Sequence, residues 1–133
     1  MAKYVREVMT PDPVTIAATA SVHEAARVMQ TENIGTVIVL EQGLPMGIVT
    51  DRDLVVRVLA EGRDAAATTL GEICSRDLVT VPPATSIEQA LALLREKALR
   101  RLVVVEQQEP VGLVSLTDLT TASDPESGPL PPV

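Results

Sequence analysis

The chain has 133 residues, of which 46% are hydrophobic and one, Tyr4, is aromatic, and its formal net charge is −7. This length suits one compact domain or two half-domains that share a core. The negative charge argues against nucleic acid as the main partner, because binding to a phosphate backbone needs clustered Lys and Arg. No apolar run approaches the roughly 18 residues of a membrane-spanning helix, and no signal peptide is recognisable. The sequence therefore predicts a soluble, cytoplasmic protein with no membrane partner.

The sequence repeats itself without a gap. Residues 6–55 align with residues 71–120, and 14 of the aligned positions are identical. Most of the other positions keep an apolar residue opposite an apolar residue. We therefore predict a fold of the α/β (α+β) class, made of two β-α-β-β-α repeats related by a pseudo-two-fold axis. The predicted boundaries are 4–62 for repeat 1, 63–69 for a linker, 70–122 for repeat 2 and 123–133 for a disordered tail rich in Pro and Ser.

Both repeats predict the same elements in the same order. A short helix leads to a brief extended segment, an amphipathic helix, two strands and a last helix. In repeat 1 these elements are expected at 4–9, 13–16, 22–31, 36–40, 46–50 and from about 51, and in repeat 2 at 70–74, 78–81, 87–97, 101–105, 111–115 and from about 117.

Two apolar patterns predict burial. The strand segments 37–40 and 102–105 are apolar at every position, which is typical of strands that are buried on both faces and covered by helices. The last helix of repeat 1, over residues 53–60, is apolar almost all round. One face can pack against its own sheet, and the other predicts a partner, most simply a second copy in a homodimer.

Each repeat carries a glycine, two apolar residues, a hydroxyl residue, two further residues and an aspartate: Gly47 to Asp53 and Gly112 to Asp118. One interpretation is structural, because Thr or Ser caps a helix and an acid suits its first turn. The other is functional. The carboxyl end of a buried strand is a common ligand site, the glycine leaves room for close approach, and a carboxylate can accept hydrogen bonds from two neighbouring ribose hydroxyls. Both interpretations stay open.

The gapless repeat, the order of elements and the Gly-x-x-Thr/Ser-x-x-Asp signature resemble a tandem pair of cystathionine-β-synthase (CBS) domains, the Bateman module, over about residues 4–122. The resemblance implies a regulatory sensor rather than an enzyme, with no catalytic cofactor. Such modules bind an adenosine-containing ligand (AMP, ADP, ATP, NAD or S-adenosylmethionine) in two clefts between the repeats and commonly form dimers. The alternative is a ligand-independent scaffold dimer with vestigial clefts.

The resemblance also implies roles for particular residues. Asp53 and Asp118 would accept the ribose hydroxyls, and Thr50, Ser115 and Thr117 would bind ribose or phosphate. The extended segments that would line the adenine contain Asp12, Val14, Asp77 and Val79.

Repeat 2 carries arginines where the family often has His-Arg. Arg101 matches the phosphate-contacting Arg and Arg100 stands in place of His, whereas repeat 1 has Gly35 and Thr36 at these positions. In the family's crossed arrangement each cleft is completed by the other repeat, so both arginines would face the cleft of the first motif, which also contains Arg52. That cleft is therefore expected to bind a phosphate-bearing ligand more tightly than the other. The alternative is that both arginines are solvated residues at the start of a strand.

Other chemistry finds little support in the sequence. His23 is expected on the exposed side of a helix, and no second His or Cys stands at metal-ligand spacing, so no metal site is predicted. The single Cys74 aligns with Met9 and is expected to be a small buried hydrophobic residue. No nucleophile and base pair is recognisable, so no catalytic residue is predicted.

Overall fold

The computed structural model describes residues 2–123, which divide into two compact units. The repeat-1 unit contains residues 14–78, and the repeat-2 unit contains residues 2–13 together with 79–123. The predicted mixed α+β class is confirmed, with two sheets and five α-helices in this part of the chain. The expected tail, 123–133, lies outside the described residues except for Ser123, which ends the last helix.

The elements follow the predicted order, with one short strand that the sequence did not predict, β1. The strands are β1 (Thr10–Pro11), β2 (Thr15–Ala17), β3 (Thr36–Glu41), β4 (Leu44–Thr50), β5 (Thr80–Val81), β6 (Arg101–Glu106) and β7 (Glu109–Ser115). The α-helices are α1 (Val22–Glu32), α2 (Asp51–Leu54), α3 (Leu70–Ile73), α4 (Ile87–Lys97) and α5 (Leu116–Ser123). A 3₁₀ turn covers Val5–Glu7, and a π-helical turn, Val55–Leu59, continues α2.

The sheet of the repeat-1 unit has the order β2-β3-β4. Its central strand β3 pairs with β2 in parallel and with β4 in antiparallel orientation. Val37, Ile38 and Val39 of this strand are fully buried, as their continuous apolar run predicted. Helix α1 adds apolar side chains to the same core, which places the carboxyl end of β4 on a rigid support.

The repeat-2 unit preserves this arrangement. Strands β6 and β7 and helix α4 have the bounds of β3, β4 and α1 shifted by 65 residues. The sheet order is β1-β7-β6-β5, and Leu102, Val103 and Val104 of the central strand β6 are fully buried. The internal repeat seen in the sequence is therefore a repeat of structure.

Each unit includes an arm that belongs, in sequence, to the start of the other repeat. The first arm, residues 3–11, lies in the repeat-2 unit: Val5 is fully buried there, and Thr10–Pro11 pairs with β7. The second arm, residues 68–76, lies in the repeat-1 unit, where Leu70 is fully buried and Ser75 forms a β-bridge with Ile48. Full burial of one such aliphatic side chain is worth about 1.5–3 kcal/mol, so the arms stabilise the units that hold them.

The helix after β4 has one buried and one exposed apolar face. Val58 packs into the core of the repeat-1 unit, whereas the exposed fractions of Val55, Val56 and Leu59 are 54%, 46% and 74%. The sequence predicted that one face would pack within its own unit, and the structure confirms it. The exposed residues form an apolar patch, Val55-Val56-Leu59, on this helix.

Candidate functional site

The two signature motifs lie where β4 meets α2 and where β7 meets α5. In the first motif the Thr50 N–H donates to Asp53 Oδ2 (2.8 Å) and the Asp53 N–H donates to Thr50 Oγ1 (3.2 Å). Ser115 and Asp118 make the same two bonds, each 3.0 Å long. The structural interpretation of the motif is therefore correct, since both motifs form reciprocal capping boxes.

Capping uses only part of each aspartate. Asp53 Oδ2 takes the backbone bond, while Oδ1 lies 3.8 Å from Arg57 Nε, which is too long for a hydrogen bond. Within residues 2–123, Asp118 Oδ1 accepts no hydrogen bond. The Asp53 side chain is 21% exposed, and Asp118 is likewise half-buried. Each motif thus presents one carboxylate oxygen that can accept hydrogen bonds from a ligand.

The glycines of the two motifs lie against the arms, so their lack of a side chain has a structural role. A Cβ on Gly47 would lie 3.0 Å from Cys74 Sγ and even closer to the Ser75 carbonyl oxygen. A Cβ on Gly112 would overlap the Met9 side chain. The space beside each glycine is filled by an arm, so the glycine allows the arm to pack closely against the strand.

The residues at the start of β3 and β6 lie beside the motif of their own unit. The Asp51 N–H donates to the Gly35 carbonyl (2.9 Å), and Thr36 pairs with Thr50. A Cβ on Gly35 would lie 3.0 Å from Asp51 Oδ2, so this carboxylate lies directly against the glycine.

The corresponding place in the repeat-2 unit has the opposite charge. The Leu116 N–H donates to the Arg100 carbonyl (2.8 Å), and Arg101 pairs with Ser115. Both arginines are exposed. Where the first motif has a carboxylate against a glycine, the second has a leucine beside an arginine, so the two sites differ in charge.

The residues expected to line the adenine divide between the units. Val14 and Asp77 belong to the repeat-1 unit, and Asp12 and Val79 to the repeat-2 unit. The carbonyls of Val14 and Val79 accept bonds from the central strands, at 3.0 and 3.1 Å, and both residues are half-buried. Asp12 and Asp77 are exposed, and Asp12 has a positive φ of 51°.

The remaining two predicted site residues occupy the first helical turns. Arg52 of α2 and Thr117 of α5 are both exposed. The Thr117 carbonyl accepts a bond from the Thr120 hydroxyl at 3.1 Å. Neither side chain is buried in the folded units, so both are accessible to solvent.

Arg57 is a residue near the first motif that the sequence interpretation missed. Its Nη1 donates to the carbonyl of Ile73, the last residue of α3, at 2.7 Å, and its Nε faces Asp53 Oδ1. The spacing of Asp53 and Arg57, four residues on one helix, was the available signal. Residue 122, the counterpart of Arg57 in repeat 2, is Ala122, so the second motif has no such arginine.

Cys74 is buried, as expected, and burial raises the pKa of its thiol. His23 is exposed. Residues 2–123 contain no group of three or more His, Cys, Asp or Glu side chains that could hold a metal ion. Among the same residues, none of the helices has the length and apolar character needed to cross a membrane.

Comparison with known proteins identifies the repeat. The family model of the CBS domain matches residues 5–60 and 70–124. The CBS domain-containing protein YhcV of Bacillus subtilis is 39% identical over 115 residues, which span 86% of this chain and 81% of that protein.

The chain is also similar in structure to solved CBS-domain proteins. A hexameric CBS-CP12 protein from bloom-forming cyanobacteria has a TM-score of 0.81 and 30% identity, covering 98% of this chain and 78% of that one. Hypoxic Response Protein I, solved with two coordinated zinc ions, has a TM-score of 0.74 and 27% identity, covering 92% of this chain and 99% of that one. The chain therefore belongs to the CBS-domain family, as a tandem pair of the kind that forms regulatory modules.

Proposed function

We propose that this protein is a sensor that binds an adenosine-containing ligand (AMP, ADP, ATP, NAD or S-adenosylmethionine) at its Thr50–Asp53 and Ser115–Asp118 motifs. The observation that carries the proposal is Oδ1 of each capping aspartate, which the cap does not use and which, at Asp53, has only the 3.8 Å contact with Arg57 Nε within residues 2–123. An ionised carboxylate makes stronger hydrogen bonds than a neutral acceptor. The vicinal hydroxyls of a ribose supply two donors at the spacing that such an oxygen can use.

The backbone bond to Oδ2 prepares the aspartate for this role. Because Oδ2 accepts from the backbone, the carboxylate is oriented before a ligand arrives, which lowers the entropy cost of binding. Half-burial of Asp53 and Asp118 limits competition from water. The hydroxyl protons of Thr50 and Ser115 are not used in the capping bonds, since both oxygens act there as acceptors. They can donate to a ribose or phosphate oxygen.

The two motifs should differ in their preference for phosphate. The first motif contains Arg52 but also Asp51, whereas the second has Thr117 and adjoins Arg100. An Arg bidentate to a phosphate gives a strong charge-assisted contact, and a nearby carboxylate opposes it. We propose that AMP therefore binds the two motifs with unequal affinity, and that the first motif binds it more tightly where Arg100 and Arg101 complete its cleft, as the family's crossed arrangement implies.

The proposed output is a change in a homodimer. The Val55-Val56-Leu59 patch is the apolar surface that a second copy would cover. A ligand can alter the dimer only if its affinity differs between two arrangements of the protein. Oligomeric relatives such as the hexameric CBS-CP12 protein support assembly of this kind.

Asparagine substitution tests ligand binding without removing the cap. Asp53→Asn and Asp118→Asn each keep an oxygen that can accept the backbone bond, but they replace the open acceptor with an NH₂ donor. Calorimetry should show AMP binding by the wild type and loss of at least about tenfold in affinity at the altered motif, because one charged hydrogen bond is worth about 1.5–3 kcal/mol. GMP is the control for base specificity. Titrations with the other adenosine-containing ligands show which of them binds most tightly.

The scaffold alternative has one observation in its favour. Both capping boxes are complete without any ligand, so the motifs have a structural role of their own. A wild-type protein that binds none of the five ligands, while the asparagine variants change only stability, would overturn the sensor proposal and support the scaffold.

A further inference from the structure

Arg57 connects the proposed ribose acceptor to another element of the repeat-1 unit. Its Nη1 donates to the Ile73 carbonyl at 2.7 Å, and its Nε lies 3.8 Å from Asp53 Oδ1, the oxygen left open by the cap. The Arg57 side chain is 46% exposed, so it is held by these partners at its head rather than by burial. One guanidinium thus faces both the motif and the C-terminus of α3.

The helix geometry around Arg57 is unusual. The Ala60 N–H donates to the Val55 carbonyl at 2.8 Å, a five-residue step, so this turn holds one more residue than an α-helical turn. Such π-helical turns are rare and often occur at functional sites. Helix α5 occupies the corresponding place in repeat 2 as an α-helix, and Ala122 stands in place of the arginine.

We propose, on the basis of the ligand-binding function proposed above, that Arg57 is a positioning residue for Asp53. The Thr50 N–H fixes Asp53 Oδ2, and the Arg57 guanidinium limits rotation of Oδ1, so the carboxylate is held from both sides. Because the same guanidinium binds the Ile73 carbonyl, ribose binding at Asp53 acts on α3 and, through it, on the rest of the second arm. The second motif has no equivalent residue, so this connection belongs to the first motif alone.

A structural role for Arg57 has to be separated from this one. An arginine that binds the last carbonyl of a short helix stabilises that helix whether or not a ligand is present. A purely structural Arg57 would affect AMP binding equally in the presence and absence of the Asp53 carboxylate. A positioning residue would act only when that carboxylate is present.

The test is a double-mutant cycle on AMP binding, measured by calorimetry, with Arg57→Met and Asp53→Asn. Arg57→Met keeps much of the apolar stem and removes both polar contacts, whereas Arg57→Lys keeps the charge but not the fork that spans two partners. Arg27→Met, at an exposed position of α1, is the matched control for charge loss in the same unit. Thermal unfolding identifies any variant that does not fold, and Arg57→Lys then takes the place of Arg57→Met.

We expect Arg57→Met to lower the affinity for AMP at one of the two sites by about fivefold to tenfold. The ratio of the affinity for AMP to the affinity for 2′-deoxy-AMP should also fall. In the Asp53→Asn background, Arg57→Met should not lower the affinity for AMP any further. Arg27→Met should leave the affinity for AMP unchanged in both the wild-type and the Asp53→Asn backgrounds. AMP should also increase hydrogen-exchange protection of the Cys74 amide in the wild type but not in Arg57→Met. If the wild type binds AMP and Arg57→Met lowers that affinity equally with and without the Asp53 carboxylate, the inference about Arg57 is overturned and the proposed function is not. Absence of wild-type binding would overturn the proposed function, and the inference with it.

Discussion

Alanine at the two signature glycines gives a matched test of how the arms dock. A Cβ on Gly47 would meet the backbone carbonyl of Ser75 as well as Cys74 Sγ, whereas a Cβ on Gly112 would meet only the Met9 side chain. The Ser75 backbone cannot withdraw easily, because it pairs in both directions with Ile48, at 3.1 and 3.2 Å. Rotation of the flexible Met9 side chain can move Sδ and Cγ away, which leaves the milder 3.2 Å contact with Met9 Cβ.

The expected magnitudes follow from this difference. Forcing a methyl group into a packed site costs about 1–3 kcal/mol, and replacing glycine by alanine returns about 0.4–1 kcal/mol by restricting the unfolded chain. Gly47→Ala should therefore lower the free energy of unfolding by about 1–2 kcal/mol, and Gly112→Ala by less than about 1 kcal/mol. For a chain of this size, 1 kcal/mol corresponds to about 3–5 °C in the thermal midpoint.

Urea denaturation without ligand is the assay, and second-site alanines are the controls. Met9→Ala should relieve the Gly112→Ala overlap, so that the double variant is more stable than the sum of the two single effects. Cys74→Ala should not rescue Gly47→Ala, because the Ser75 carbonyl remains. Equal losses for the two glycines, or a larger loss for Gly112→Ala, would refute the argument that the Ser75 backbone yields less easily than the Met9 side chain.

Three further predictions address acid stability, assembly and phosphate binding. Backbone and hydroxyl bonds from Thr69 hold the pKa of Glu72 below its ordinary value of 4.5, so its stabilisation is present above that pH and is lost as pH falls through the lowered value. Glu72→Gln should make the free energy of unfolding fall less steeply as the pH is lowered below about 4.5, and an unchanged pH dependence would contradict this. Leu59→Glu should weaken the proposed homodimer by several kcal/mol in sedimentation equilibrium, and a wild type that is monomeric at micromolar concentration would remove the basis for the claim. Arg101→Ala should reduce affinity for AMP more than for adenosine, and combining it with Asp53→Asn or Asp118→Asn shows which motif the arginine serves; equal losses for the two ligands would make it a surface residue.

The fold could be predicted because its signals are local and occur twice. The all-apolar run in β3 is repeated in β6, and the bounds of α4 agree with the expected 87–97. Agreement between repeats removes the ambiguity that a short apolar run has on its own. The π-helical turn at Val55–Leu59 was not predicted, because a helix with one extra residue in a turn has the same apolar composition as an α-helix.

The docking of the arms could not be predicted because it depends on contacts that are distant in sequence. Strand β1 has two residues, one of them proline, and it forms only because β7 lies beside it. Nothing in residues 3–11 indicates which repeat they join, because the residues that bury Val5 are distant from it in sequence. The glycines at 47 and 112 were assigned to a ligand for the same reason: the sequence shows that space is needed but not which group fills it.

The signature Gly-x-x-Thr/Ser-x-x-Asp is therefore structural at nearly every position. The glycine admits an arm, the hydroxyl caps a helix, and one oxygen of the aspartate completes the cap. Capping alone would also be satisfied by a neutral side chain, since the N3 residue of a capping box can be an amide, as Gln89 is at the start of α4. The chain instead places a carboxylate at this position in both repeats, and both aspartates are half-buried. The cap does not use the second oxygen of either carboxylate, and the asparagine variants replace that oxygen while leaving the cap in place.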